Sequence, residues 1–241
     1  MGRTAIVTGG GTGIGRAVAA RLAAEGAAVS ITGRRADVLD QTAAEIGARA
    51  VPVDATDAAA IEVALGDLPE TVDVLVNAAG GNADLLAGPP GNDLDAVRRT
   101  WCANFETNVL SAVLTTTALL PRLADGARIV NVGTVTARAG QGSYGAVKAA
   151  LEPWTSELAF QLGSREITAN VVSPGPTEGT DFFHGGDFPP ARREFVEART
   201  ADGRLGRVDE VAAVITFLAS REASHITGQV IHVSGGLHLG R

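Results

Sequence analysis

The stretch that decides the fold is Thr8-Gly9-Gly10-Gly11-Thr12-Gly13-Ile14-Gly15, which lies between a short apolar run and a segment of helical composition. Glycine permits a tight turn and a close approach of the backbone to a ligand, and the amino terminus of a helix presents free N–H groups to phosphate. The stretch therefore predicts a strand, a phosphate-binding turn and a helix. Its candidates for binding a pyrophosphate are Gly9, Thr12, Gly13, Ile14 and Gly15.

Six further apolar runs rich in Val and Ile follow, and segments rich in Ala and Leu separate them. Short, uniformly apolar runs are typical of parallel strands buried on both faces. The alternation predicts an α/β fold with a Rossmann-type, doubly wound parallel sheet of about seven strands, in a single domain over residues 1–241. The predicted strands are Thr4–Val7, Ala28–Thr32, Arg49–Val53, Val72–Val76, Arg128–Val132, Thr168–Val172 and Gln229–Val233. The predicted helices are Ile14–Glu25, Ala36–Ile46, Ala58–Leu65, Asp93–Leu123, Tyr144–Leu162 and Val208–Ser220.

Two segments interrupt this alternation, Gly80–Gly91 and Pro174–Gly203. The second holds four of the seven phenylalanines among Gly and Pro, namely Phe182, Phe183, Phe188 and Phe195. Long loops in compact domains are often functional, so residues 176–203 are a candidate lid over a substrate. The alternative is that these rings pack on the body of the protein or on a neighbouring subunit.

Composition narrows the classes of partner. The formal charge of −7 and the pI near 5.1 argue against nucleic acid and membrane surfaces and favour a small molecule. The single cysteine, Cys102, can form neither an internal disulfide nor a zinc cluster, and no metal site is expected. The first residues enter a strand-like run without a signal sequence, and no apolar stretch has the length of a membrane span, so we expect a cytoplasmic protein.

The end of the second predicted strand indicates which nucleotide binds. An acidic residue here would hold a ribose 2′-hydroxyl, but the chain has Gly33-Arg34-Arg35. Arginine suits a 2′-phosphate because guanidinium binds it through charge-assisted, bidentate hydrogen bonds, which predicts NADP(H); a solvated arginine at a helix start is the alternative. Asp54, after the third strand, could accept from an adenine amino group or cap the next helix.

Tyr144 is the only tyrosine of the chain, and Lys148 is the only lysine among twenty basic residues. They stand four residues apart in a predicted helix and therefore project from one face. A phenol titrates near 10, and a nearby ammonium lowers that pKa by stabilising the phenolate. The pair is therefore a candidate general acid and its support, whereas a buried tyrosine and a surface lysine would be the structural alternative.

Taken in order, these motifs resemble the short-chain dehydrogenase/reductase family over nearly the whole chain. The family's Thr-Gly-x-x-x-Gly-x-Gly stands here as Thr8–Gly15 and its Tyr-x-x-x-Lys as Tyr144–Lys148. Its Asn-Asn-Ala-Gly is similar to Asn77-Ala78-Ala79-Gly80, with Ala78 replacing an asparagine, and its Pro-Gly is Pro174-Gly175. The resemblance implies that Asn77, Ala78, Gly80, Pro174 and Gly175 contact the cofactor.

The same resemblance implies individual roles. Tyr144 would donate a proton, and Lys148 would hold the nicotinamide ribose and lower the pKa of the phenol. Asn108 matches an asparagine that supports a proton-relay water. Thr177 or Thr180 would lie near the nicotinamide carboxamide.

One position departs from the family pattern. The serine that orients the substrate is replaced by Thr134, whose hydroxyl can donate the same hydrogen bond although its extra methyl stiffens the side chain. The segment from Thr134 to Tyr144 is also about three residues shorter than the resemblance implies. Thr136 and Ser143 are therefore alternative candidates for this hydroxyl.

The resemblance favours an NADPH-dependent reductase of a 3-oxoacyl thioester or a similar apolar ketone, in a homotetramer packed through the long helix and the helix of Tyr144. An alcohol dehydrogenase of a secondary-metabolite or sugar pathway is the alternative among enzymes. A non-catalytic NADP(H)-binding regulator is a third hypothesis, but such a protein has no need of a proton donor.

Overall fold

Nine strands occur in the computed structural model, which describes residues 2–87, 91–140, 142–183, 188 and 190–239. They are β1 Thr4–Thr8, β2 Ala28–Gly33, β3 Arg49–Pro52, β4 Val72–Asn77, β5 Leu123–Val132, β6 Thr168–Pro174, β7 Thr177–Glu178, β8 Gly206–Arg207 and β9 Val230–Val233. Seven of them form one parallel sheet in the order β3-β2-β1-β4-β5-β6-β9, and β7 pairs with β8. The predicted α/β fold and its seven-stranded sheet are confirmed.

Helices cover both faces of the sheet. They are α1 Gly13–Ala24, α2 Ala36–Ile46, α3 Ala58–Ala64, α4 Ala83–Ala87, α5 Leu94–Phe105, α6 Ser111–Leu119, α7 Thr136–Ala139, α8 Gly142–Ala149, α9 Leu151–Leu162, α10 Pro190–Glu197 and α11 Val208–Leu218. Along β1, Val7 packs with α1, α2 and α11, whereas its neighbour Ile6 packs with α6 and α9. Successive strand residues point to opposite faces, so each strand supplies both cores and must be apolar throughout.

The predicted helix Asp93–Leu123 is interrupted. Its start is correct, since the Asp93 carboxylate caps α5, but a π-helical turn at Glu106–Leu110 separates α5 from α6. A 3-10 turn that contains Pro121 then ends the helix, because proline lacks the N–H of the helical ladder. β5 consequently begins at Leu123, five residues before the predicted Arg128.

The predicted helix Tyr144–Leu162 is also two helices. α8 ends at Ala149, and α9 begins at Leu151. Pro153 cannot donate to the carbonyl four residues earlier, that of Ala149, which explains the break. Tyr144 and Lys148 both remain on α8.

The candidate lid, residues 176–203, contains β7, a 3-10 turn at Asp181–Phe183 and α10 in its described part. Residues 184–187 and 189, and the side chain of Phe183, lie outside the described residues. Phe188 packs with Val196 and Leu205 in a small buried cluster. None of the described helices is both long and apolar enough to cross a membrane.

Candidate active site

The glycine turn has the geometry that its sequence predicts. Gly9 and Gly13 have φ angles of 65° and 53°, in the region that side chains rarely adopt. A Cβ on Gly15 would lie 2.3 Å from the carbonyl oxygen of Gly9, so only glycine fits there. At Gly15 the turn is therefore closed by backbone atoms, with no room for a side chain between Gly9 and Gly15.

The start of α1 suits an anion. Thr12 precedes the helix, and its side chain makes no capping hydrogen bond, so it leaves the first N–H groups of α1 to another acceptor. Ile14 lies in that first turn. The Thr8 hydroxyl accepts from the amides of Ala78 and Ala79 at 3.1 and 3.0 Å, which joins the loop after β4 to the glycine turn. This turn fits the pyrophosphate of a dinucleotide.

Asn77 and Gly80 occupy different surroundings. The buried Asn77 amide donates to Thr116 at 2.9 Å and to Asn131 at 2.8 Å, so its side chain ties β4 to α6 and β5. A Cβ on Gly80 would lie 3.4 Å from Nζ of Lys148, which places the Gly80 backbone beside the lysine. Cofactor contact stays a prediction for both residues, and for Asn77 the structure gives the side chain a structural role.

Both predicted arginines, Arg34 and Arg35, are exposed at the end of β2. Arg35 forms an ion pair of 3.0 Å with Asp181 and lies 3.5 Å from the Thr12 hydroxyl. The Asp54 carboxylate accepts from the backbone and hydroxyl of Thr56, and these hydrogen bonds, with a smaller effect of Arg34, lower its pKa. The alternative that Asp54 caps the next helix is wrong, because Asp57 caps α3.

The segment after β6 faces the glycine turn. The Gly175 amide donates to Val233 at 2.9 Å, and the Thr177 hydroxyl donates to the carbonyl of Gly175 at 2.8 Å. Thr180 would lie 3.5 Å from a Cβ placed on Gly13. Thr180 thus lies against the glycine turn, and its contact with the cofactor, like that of Thr177, stays a prediction.

Tyr144 lies buried, 8% exposed, and the neighbouring Thr134 hydroxyl acts to lower the pKa of its phenol. Thr134 is also 3.0 Å from the Thr136 hydroxyl, so the candidate hydroxyls Thr134 and Thr136 are adjacent. The third candidate, Ser143, instead donates to Asp84. The phenol therefore has Thr134 as its hydroxyl partner.

Lys148 lies one helical turn after Tyr144 and is buried as well. Its ammonium donates to the carbonyl of Val132 at 2.7 Å, and burial lowers its pKa to about 8. Burial raises the pKa of Tyr144, and the hydrogen bond from Thr134 opposes that rise. The pKa of Tyr144 therefore lies above its ordinary value and not below it as predicted, because desolvation of the phenolate dominates.

Asn108 is buried within the π-helical turn. Its Nδ2 donates to the carbonyls of Gly81 and Asn104 at 2.8 and 2.9 Å, and its Oδ1 accepts from the Gly81 amide at 3.1 Å. The side chain thus fixes the loop after β4, and its support of a water stays a prediction. π-helical turns often occur at functional sites, but the sequence around Asn108 carries no sign of one.

Sequence reasoning missed Asp84. It lies in α4, inside the Gly/Pro-rich segment Gly80–Gly91, and its carboxylate contacts the first residues of α8. An acidic residue in a predicted loop has no distinctive pattern. Only the tertiary contacts reveal it.

Sequence comparisons identify proteins that are similar to this chain. The sequence model of a family described as enoyl-(acyl carrier protein) reductase matches residues 9–238. The 3-oxoacyl-[acyl-carrier-protein] reductase FabG of Salmonella typhimurium is 36% identical over 99% of this chain and 98% of its own length.

Two solved structures are similar throughout. A blue fluorescent protein from a metagenomic library, in complex with NADPH, has a TM-score of 0.85 and 37% identity over 99% of this chain and 98% of its own. RhlG of Pseudomonas aeruginosa, in an NADP active-site complex, has a TM-score of 0.84 and 33% identity over 99% and 97%. With its glycine turn, its buried Tyr144 and Lys148 and these full-length similarities, the chain belongs to the short-chain dehydrogenase/reductase family of oxidoreductases.

Proposed function

We propose that this protein uses NADPH to reduce a ketone to a secondary alcohol, with Tyr144 as the general acid. The observation that carries the proposal is that Tyr144 and Lys148 are both buried one helical turn apart on α8, where the Lys148 ammonium donates to the carbonyl of Val132. When bound, the dihydronicotinamide supplies a hydride to the carbonyl carbon. The protein must then supply a proton to the oxygen.

The protonation state of Tyr144 supports reduction as the direction. Burial raises the pKa of this phenol, so it stays protonated at neutral pH and can donate to the oxygen that becomes negative as hydride arrives. Thr134, beside the phenol, donates a second hydrogen bond to the same oxygen. Lys148 and Asn108 hold the cofactor ribose and a relay water, as the family resemblance implies.

Two observations support NADPH as the cofactor. Arg34 and Arg35 offer guanidinium groups where an acidic residue would select NAD, and the similar structures include complexes with NADPH and NADP. The glycine turn and the uncapped start of α1 provide the pyrophosphate site. Residues 1–241 would form a single domain that carries this cofactor site.

The proposed substrate is a 3-oxoacyl thioester or a similar apolar ketone. The similar protein of Salmonella typhimurium is a 3-oxoacyl-[acyl-carrier-protein] reductase, which favours this class. The Phe182 ring lies edge-on to Tyr144, with 5.4 Å between ring centroids, so an apolar surface borders the reacting position. Residues 176–203 would close over the substrate as a lid.

Oxidation of NADPH in the presence of a ketone panel tests this function. We expect turnover with 3-oxobutanoyl thioesters or cyclic ketones, and a loss of at least a hundredfold in Tyr144→Phe, which keeps the ring without its proton donor. Tight NADPH binding without turnover of any ketone would favour a regulator. Turnover only of alcohols with NADP would favour a dehydrogenase.

We also propose that the enzyme is a cytoplasmic homotetramer. Trp101 and Phe105 on α5 and Phe160 on α9 are exposed, with 87% of Phe160 accessible, and these helices lie in the regions that the family resemblance assigns to the interface. Light scattering should give four times the mass of the chain. Phe160→Asp should lower that mass, and a monomeric wild type would refute the assembly.

A further inference from the structure

Donors from two helices converge on the carboxylate of Asp84. Its Oδ1 accepts from the amide of Asn104 on α5 at 3.1 Å and from the hydroxyl of Ser143, and its Oδ2 accepts from the backbone N–H of Tyr144 at 2.9 Å. Ser143 and Tyr144 are the second and third residues of α8. One side chain thus connects α4, α5 and the start of the helix that carries Tyr144 and Lys148.

These contacts require an acceptor at both terminal atoms of residue 84. Nδ2 of Asn104 donates to Oδ1 and the Tyr144 amide donates to Oδ2, so an asparagine in either orientation would direct its own NH₂ group at a donor. The surroundings also leave little space. A Cβ on Gly142, which has a φ of 62°, would lie 2.5 Å from Oδ2 of Asp84.

Two buried asparagines hold Asp84 in place. Oδ1 of Asn104 accepts from the Ala83 amide at 2.8 Å, while its Nδ2 donates to Ser143 at 2.8 Å. Asn108, one turn further on, binds the backbone of Gly81. The segment from Gly81 to Asp84 is therefore fixed to α5 and the π-helical turn, and Asp84 transmits that position to α8.

We propose that Asp84 is a positioning residue for Tyr144. It fixes the first turn of α8, so that the Tyr144 hydroxyl meets Thr134 and the Lys148 ammonium meets the carbonyl of Val132. Its negative charge also stabilises the amino terminus of this eight-residue helix. The kinetic part of this inference rests on the proposed function, but its structural part does not.

The first test compares Asp84→Asn with Asp57→Asn. Asp57 is a matched control because its carboxylate caps α3 by accepting from two backbone amides, those of Ala59 and Ala60. A displacement of about 1 Å can reduce a rate about a hundredfold, so kcat of Asp84→Asn should fall at least tenfold. Its Kd for NADPH should rise by a smaller factor than kcat falls, because the glycine turn that would bind the pyrophosphate is unchanged.

The control should keep both its stability and its kcat, because asparagine caps a helix about as well as aspartate. Equal kcat in the two variants at a similar Tm would overturn the proposal. A tenfold weaker Kd for NADPH with unchanged kcat would do so too, because Asp84 would then act on the cofactor.

A second readout needs no turnover. Tyr144 is the only tyrosine, so phenolate absorbance during an alkaline titration reports this residue alone. Burial raises its pKa, and a loosened first turn of α8 would admit water and lower the pH at which phenolate appears. We expect that shift in Asp84→Asn and not in Asp57→Asn. An unchanged titration would refute positioning, even if the wild type reduced no ketone and the proposed function failed.

Two further variants apply if Asp84→Asn does not fold. Ser143→Ala removes one donor to Asp84, and Gly142→Ala presses a methyl group against the carboxylate. Each should lower kcat and shift the tyrosine titration in the same direction as Asp84→Asn. Wild-type values in both would refute the proposal. A kcat loss in Ser143→Ala with a wild-type titration would refute it as well, because Ser143 would then contact the substrate.

Discussion

The proposed NADPH site has a reactive end at Tyr144 and Lys148 and an adenosine end at Arg34 and Arg35, and different interactions stabilise the two ends. At the reactive end, Tyr144 and Lys148 are 8% and 5% exposed, Tyr144 neighbours the neutral hydroxyl of Thr134, and the Lys148 ammonium donates to a backbone carbonyl. At the adenosine end, the side chains of Arg35 and Asp181 form an ion pair with 60% and 51% of their surfaces exposed. Function at the reactive end should therefore depend on the geometry of buried groups. Function at the adenosine end should depend on the charges of exposed groups.

This difference predicts how each end responds to substitution. In a buried site an unpaired polar group costs the full desolvation free energy, and a small displacement alters proton transfer. At an exposed site the solvent and salt screen each charge, and an ion pair contributes at most about 1 kcal/mol. We therefore expect large effects at the reactive end and graded ones at the adenosine end.

The largest effect should come from Thr134→Val. Valine keeps the shape but removes the hydroxyl that acts on the pKa of Tyr144 and that we propose as a donor to the substrate oxygen. Loss of such a donor reduces kcat about a hundredfold or more. Steady-state kinetics with NADPH and a 3-oxobutanoyl thioester would measure it.

Thr134→Ser and Thr136→Val are the matched controls. The serine variant should retain most activity, since it keeps the hydroxyl. The Thr136 variant loses only the neighbour of Thr134, 3.0 Å away, and should lose less than tenfold. Full activity in Thr134→Val with a large loss in Thr136→Val would move the role to Thr136.

Lys148→Arg should lose at least tenfold in kcat although it keeps the positive charge. The other nineteen basic residues are arginine, so a lysine here indicates that its shape is required. An ammonium is compact, with three rotatable donors, whereas guanidinium is a wide planar fork. The larger group would not fit the buried contact with Val132 without displacing Tyr144.

The pH profile separates shape from charge. Burial lowers the pKa of Lys148 to about 8, so kcat/KM for NADPH in the wild type should fall as the pH rises through that value and the ammonium is lost. Lys148→Arg keeps its charge at higher pH, and its decline should shift upward. A variant within twofold of the wild-type kcat would show that only the charge matters.

The sequence was sufficient to predict the sheet, the glycine turn and the placement of Tyr144 and Lys148 on one helix. The strands could be predicted because burial on both faces requires uniformly apolar runs. The glycine turn could be predicted because Gly9 and Gly13 adopt positive φ, which favours glycine. The pairing of Tyr144 with Lys148 could be predicted because residues four apart lie on one face of a helix. Each of these signals is local in the chain.

Features that depend on distant contacts were not predicted. Asp84 lies 59 and 60 residues from Ser143 and Tyr144, so nothing near it in sequence marks its role. The raised pKa of Tyr144 arises from burial, which outweighs the charge that its spacing from Lys148 suggested. The helix breaks at Pro121 and Pro153 were not predicted either, although proline is a local signal, because the surrounding residues have a helical composition.

At the adenosine end, Arg34→Asp should reverse the preference between NADPH and NADH. Aspartate repels a 2′-phosphate and can accept a hydrogen bond from a free 2′-hydroxyl. We expect the ratio of the two kcat/KM values to change about tenfold, with kcat nearly unchanged. An unchanged ratio would leave Arg35 as the residue that binds the 2′-phosphate. A preference of the wild type for NADH would refute this role for both Arg34 and Arg35.

Asp181→Asn should have the smallest effect, and its sign is opposite to that of Arg34→Asp. The carboxylate of Asp181 lies 3.0 Å from Arg35, so it competes with a 2′-phosphate for the same guanidinium. Removing its charge should lower the Kd for NADPH about twofold, the scale of an exposed ion pair, and leave the Kd for NADH unchanged. The NADPH difference should vanish at high salt, because both charges are exposed and screened. Weaker NADPH binding in Asp181→Asn would instead mean that Asp181 orients Arg35 toward the phosphate.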